Sequence, residues 1–122
     1  MALADEPYCY LTTTGRVTGE PREIEIWFGM IEADSESHGG TLYMLSGGRD
    51  RSDWVKNLLK RPTVSVRIGD RTFDGIARIV DDEDEDATAR QLLLEKYSSG
   101  YSGDLGDWGR TALPVAVDLE SG

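Results

Sequence analysis

The sequence predicts a mostly β (α+β) domain, an antiparallel β-barrel of about six strands flanked by two helices. Three observations carry that prediction. Short runs with period-two alternation recur along the chain, among them Glu23-Ile24-Glu25-Ile26 and Val64-Ser65-Val66-Arg67-Ile68. Glycine is abundant, 14 in 122 residues, and several glycines fall between those runs, where turns are needed. Only two segments, one ending at Pro62 and one opening on the acidic run at Asp81, have the spacing of an amphipathic helix. The length suits one domain over residues 1–122.

Taken in order, Tyr8 to Thr14 has the β-branched and aromatic content of a first strand, and Arg22 to Ile31 alternates as a second. The turn between them contains Gly15, Gly19 and Pro21. Asp34 to Gly40 is a polar loop that places His38 in solvent, and Thr41 to Ser46 is a third strand ending at Gly47-Gly48. Asp50 or Ser52 caps a short helix whose apolar positions are Trp54, Val55, Leu58 and Leu59, and Pro62 stops it. Val64 to Ile68 and Phe73 to Val80 form a hairpin around Gly69-Asp70. The acidic run Asp81 to Asp86 starts the second helix, where carboxylates meet the positive end of the dipole, and Ala89, Leu92, Leu93 and Tyr97 mark its buried stripe. Ser98 to Trp108 reads as irregular, and Ala112 to Leu119 as a closing strand with Pro114 near its start.

Composition narrows the function. A net charge of −10, from 13 Lys+Arg against 23 Asp+Glu, argues against nucleic acid or an anionic membrane surface as the main partner. The cations Arg16, Arg22, Arg49, Arg51, Lys56, Lys60 and Arg61 nevertheless gather in the first turn and the central segment, as a small anionic ligand would require. One cysteine, Cys9, and one histidine leave no disulfide within the chain and no metal site of the Cys/His type. No apolar run is long enough for an integral membrane segment, and no signal-peptide pattern opens the chain, so a cytoplasmic location is expected.

The chemistry concentrates in Leu11-Thr12-Thr13-Thr14-Gly15-Arg16-Val17-Thr18-Gly19-Glu20-Pro21-Arg22. Glycines let such a turn approach a ligand closely, its backbone N–H groups can cradle an anion, and Arg16 and Arg22 add forked, permanently charged donors. A hairpin with solvated arginines has the same spacing. Ser46-Gly47-Gly48-Arg49, between a strand and a helix, offers a second set of anion donors. Trp54 and Leu58 read first as core, while Tyr97, Tyr101 and Trp108 can wall an aromatic pocket. No nucleophile and base stand together, and no phosphate-binding Gly-Lys-Ser/Thr is present. A bound redox cofactor with an anionic tail is therefore the leading source of reactivity, with the protein supplying position and electrostatics.

The order of these motifs resembles the deazaflavin-dependent nitroreductase and quinone reductase family, which uses coenzyme F420 on a split β-barrel like that of pyridoxamine-phosphate oxidases. The resemblance runs from about Leu11 to the end, through Thr14-Gly15-Arg16, Gly19-Glu20-Pro21-Arg22, Trp27-Phe28, Ser46-Gly47-Gly48, Trp54 to Leu58, Pro62-Thr63-Val64 and Arg110 to Val115. It implies a split antiparallel barrel and hydride transfer from reduced F420 to a small-molecule quinone, nitro or activated-alkene acceptor. By resemblance the cofactor-binding set is Arg16, Thr18, Gly19, Pro21, Arg22, Ile24, Trp27, Ser46, Gly47, Gly48, Arg49, Trp54 and Asn57. The catalytic candidates, as proton donors, are Ser46, which by resemblance borders the deazaflavin ring, and Tyr97 and Tyr101, which by resemblance line the acceptor side. Val17 and Gly47 stand where many members carry Lys, and Arg49 and Arg51 are placed to compensate. Two alternatives remain, an FMN enzyme on the same barrel and a non-catalytic carrier; a homodimer suits either.

Overall fold

The computed structural model describes residues 6–31, 40–47, 51–98 and 112–120. Its elements are β1 (Cys9–Thr14), β2 (Pro21–Ile26), β3 (Gly29–Ile31), β4 (Thr41–Ser46), α1 (Asp53–Lys60), β5 (Thr63–Ile68), β6 (Arg71–Ile79), α2 (Glu83–Ser98) and β7 (Leu113–Leu119). The strands form one seven-stranded sheet in the order β2-β1-β5-β6-β7-β4-β3, antiparallel at every step.

Seven strands replace the expected six because the run from Arg22 to Ile31 breaks at Trp27-Phe28. Phe28 turns into the core and is fully buried, while Trp27 stacks on Tyr97 of α2 with ring centroids 4.3 Å apart. The break has a large consequence. β2 and β3 are opposite edges of the sheet, yet only two residues separate them. At about 3.8 Å per residue, Ile26 and Gly29 stand no more than about 11 Å apart. The sheet therefore curls until its edges nearly meet, which makes the barrel. Tyr8, expected in the first strand, precedes it and is exposed.

The inner face holds the main core, built from residues such as Leu11, Phe28, Leu42, Met44, Val66 and Val117, and α1 adds Val55 and Leu58 to it. Alternate residues of β4 and β7 point the other way, where Tyr43, Leu45 and Ala116 meet Ala89 and Leu93 of α2. Coverage on both faces explains why β7 reads as a nearly continuous apolar run rather than an alternating one. Gly29 lets α2 come close, since a Cβ there would lie 3.0 Å from that of Leu92. Leu59, expected in the buried stripe of α1, is 56% exposed. The buried arc of that helix is rotated toward Trp54 and Asn57, which leaves Leu59 past its edge.

A polar clip fastens α2 to the sheet. The Asp82 carboxylate accepts the Glu85 N–H at 2.9 Å, an N-cap bond. Glu85 then takes both arms of Arg78 at 2.7 Å and the Tyr43 hydroxyl at 2.8 Å, while Arg78 Nε donates to Asp118 at 2.8 Å. The Arg78 hydrogen bonds hold the Glu85 carboxyl below the usual carboxylate range, and burial, with the bond to Glu85, pushes the Tyr43 phenol up to about 12.

Two stability predictions test this arrangement. A Cβ at Gly75 would lie 2.6 Å from Val117 Cγ1 and 3.0 Å from the Asp118 carbonyl oxygen. Gly75→Ala should therefore cost about 1–3 kcal/mol in urea unfolding; an unchanged midpoint would mean that β6 and β7 separate freely there. Because folding lowers the Glu85 pKa, its contribution is present above the ordinary carboxylate pKa and lost as pH falls through the folded-state value. Glu85→Gln should lose roughly 1 kcal/mol at neutral pH, and the gap to the parent protein should close below about pH 4.

Candidate cofactor site

The β1–β2 turn is built by its own backbone. Gly15 N–H donates to the Glu20 carbonyl at 2.8 Å and Gly19 N–H to the Gly15 carbonyl at 2.9 Å, with Gly19 at φ 76°, the left-handed region that glycine enters without strain. The Thr18 hydroxyl accepts the Glu20 N–H at 3.3 Å. Gly15 is buried, and a Cβ on it would press on the Glu20 carbonyl at 3.1 Å. Pro21 opens β2 opposite Thr14, so its missing N–H falls on an edge strand.

This turn leans on α1 through one side chain. Asn57 is 5% exposed, and its Oδ1 accepts two hydrogen bonds from Arg16, from the backbone N–H at 3.2 Å and from Nη1 at 2.8 Å. Its Nδ2 donates to Thr13 Oγ1 at 3.3 Å. Arg16 Nη2 also reaches Asp53 at 3.3 Å, one helical turn before Asn57.

Between the turn and the helix lies an open pocket of about 330 Å³. Arg16, Thr18, Arg22, Ile24, Trp54 and Asn57 line it, so the structure brings together six of the residues expected at the site. Alternation along β2 explains Arg22: it shares a face with Ile24 and Ile26, which pack on the core, and projects from the end of that face at the pocket. Among the described residues no carboxylate pairs with the Arg22 guanidinium. Trp54 both packs on the core and walls the pocket, so the two readings of it are compatible. Thr13, Val17 and Asp53 also line it. Asp53 was legible as the i−4 neighbour of Asn57 on one helix face, but only with Asn57 already placed.

The remaining expected residues lie elsewhere. Gly19 and Pro21 shape the turn without lining the pocket. Ser46 is buried at the end of β4, its hydroxyl 2.9 Å from that of Ser52, and Gly47 follows it at the surface. The Ser46–Ser52 pair stitches the strand to the start of α1, and Ser52 makes no side-chain cap bond there. Trp27 stacks on Tyr97 of α2, and both stand outside the pocket lining. The Tyr97 hydroxyl accepts the Phe28 N–H at 2.9 Å and donates to the Pro7 carbonyl at 2.9 Å; burial pushes its pKa up to about 12. Its proton is thus held by the backbone. Gly48, Arg49 and Tyr101, together with His38 and Trp108, lie outside the described residues.

Chemically, the pocket suits the anionic part of a cofactor. Two guanidiniums offer forked donors to phosphate or carboxylate, and Trp54 and Ile24 offer an apolar wall. Among the described residues no group of three or more His, Cys, Asp or Glu is placed to hold a metal, and no helix is long and apolar enough to cross a membrane.

Comparison with solved structures finds the same fold. An F420-H2 dependent reductase (FDR-A) is 25% identical, with a TM-score of 0.67 over 92% of this chain and 94% of that one. A domain-swapped dimer is 24% identical, with a TM-score of 0.68 over 92% of this chain and 80% of that one. HutZ, a heme storage protein from Vibrio cholerae, is 16% identical, with a TM-score of 0.70 over 98% of this chain and 86% of that one. A family model for F420H(2)-dependent quinone reductases matches residues 1–120. The chain therefore belongs to the F420H(2)-dependent quinone reductase family, oxidoreductases whose cofactor is coenzyme F420.

Proposed function

We propose that this chain passes a hydride from F420H2 to a quinone, nitro or activated-alkene acceptor, with Arg16 and Arg22 holding the phosphate and carboxylates of the cofactor's tail. The observation that carries the assignment of these two residues is that Arg16 and Arg22 both line one pocket walled by Trp54 and Ile24. When bound, the reduced cofactor's contribution is hydride donation; the chain's own residues bind and orient it. Asn57 fixes the backbone and one guanidinium nitrogen of Arg16, so this donor is positioned before the ligand arrives. By family resemblance, Ser46, Gly47 and Gly48 belong to the ring side of the cofactor, Arg49 to its anionic tail and Tyr101 to the acceptor side. The enzyme works in the cytoplasm as a homodimer; likeness to a domain-swapped dimer supports the second point.

Fluorescence titration with oxidised F420 tests the tail assignment, with FMN in parallel. Arg22→Ala should weaken F420 binding about tenfold or more, the scale of a lost charge-assisted hydrogen bond, and Arg16→Ala should do likewise. Steady-state kinetics should show the loss mainly in KM for F420H2, because these groups act far from the reacting atoms. Unchanged F420 affinity in both variants overturns the assignment, and FMN binding alone would move the chain to flavin chemistry.

A further inference from the structure

Arg16 is held by two partners of opposite character. Asn57 is neutral and buried, and all its hydrogen bonds are made within the protein. Asp53 is charged, its side chain is 86% exposed, and it touches Arg16 Nη2 through one oxygen at 3.3 Å. The amide orients the guanidinium without cancelling its charge, whereas the carboxylate cancels it. Both sit on one face of α1, four residues apart, and both line the pocket with Arg16. Arg22, across the same pocket, has no such partner among the described residues.

We propose that Asp53 is a specificity-determining residue, an internal anion that occupies Arg16 until a ligand with more than one negative charge displaces it. The inference rests on the reading that Arg16 takes the cofactor's tail. A ligand carrying a single charge satisfies Arg22 and gains little at Arg16, where it has to replace an existing ion pair. A ligand with separated charges, such as a phosphate and carboxylates on one chain, reaches both. Exposed ion pairs are weak, so a multiply charged tail displaces Asp53 at modest cost. The pair thus selects for charge number rather than blocking the site.

The test is Asp53→Asn, which keeps the side chain's shape and removes its charge, with Asp53→Ser as a second variant that also suits the start of a helix. Oxidised F420 should bind either variant about two- to fivefold more tightly at low salt, with the gain shrinking toward 1 M salt. Binding of the deazaflavin alcohol, which lacks the phosphate and all beyond it, should not change. In the background of Arg16→Ala the gain should vanish. If Arg16→Ala weakens F420 binding while both Asp53 variants leave it unchanged or weaken it, the role of Asp53 falls and the tail reading stands. Equal tightening of the deazaflavin alcohol also overturns that role. If Arg16→Ala leaves F420 binding intact, the tail reading falls and takes the role of Asp53 with it.

Discussion

The candidate site depends on one buried amide. Asn57 is buried on α1, where an unpartnered amide would be costly, so its bonds to Arg16 and Thr13 are close to obligatory. Those bonds cross from the helix to the first hairpin, elements 41 and 44 residues apart in the chain. They fix the height of the turn above the helix and hence the width of the pocket. They also tie the site to the core, because Val55 and Leu58 on the same helix are buried in it. No buried side-chain nitrogen or oxygen among the described residues lacks a partner, so the amide's polarity is fully absorbed.

The barrel supplies what the amide needs on its other side. Curling brings the β1–β2 hairpin around the core, and the break at Trp27-Phe28 lets one stretch of chain serve both edges of the sheet. Phe28 carries much of that closure: its ring is buried, Lys96 Nζ sits 3.6 Å from its ring centroid, and its N–H and carbonyl oxygen are bonded by Tyr97 and Lys96 of α2. Tyr97 and Trp27 thereby brace the closing corner of the barrel. Their aromatic surface is used for packing in the described structure, which is why neither lines the pocket between the hairpin and α1.

Charge is managed by place rather than by sum. The protein carries a net −10, yet the pocket gathers two guanidiniums and one carboxylate. Much of the excess acid sits at the start of α2, where the helix dipole and Arg78 absorb part of it. A locally cationic recess on an acidic surface favours small multiply charged anions over polyanions, whose length would meet the surrounding field.

Much of the architecture was legible in the residues because it is set locally. Period-two runs, Gly69-Asp70, Pro62 and the acidic opening of α2 each act within a few residues, and the strands and helices lie close to where those signals put them. Arg16, Arg22, Trp54 and Asn57 were likewise nameable, three of them through local turn or helix signals and Asn57 through family resemblance alone. The seventh strand was not, because the break at Trp27-Phe28 arises from closing the sheet, a constraint that joins its two edges. Nor could Leu59 be separated from Leu58, since the face of α1 that turns inward is set by how the helix packs on strands distant in the chain. Local signals in the chain set six of the seven strands, both helices, the charge of the site and most of the residues able to make it. Tertiary structure alone decided which of them meet, because Asn57, Asp53 and Arg16 become neighbours only when the curled sheet brings the first hairpin onto α1.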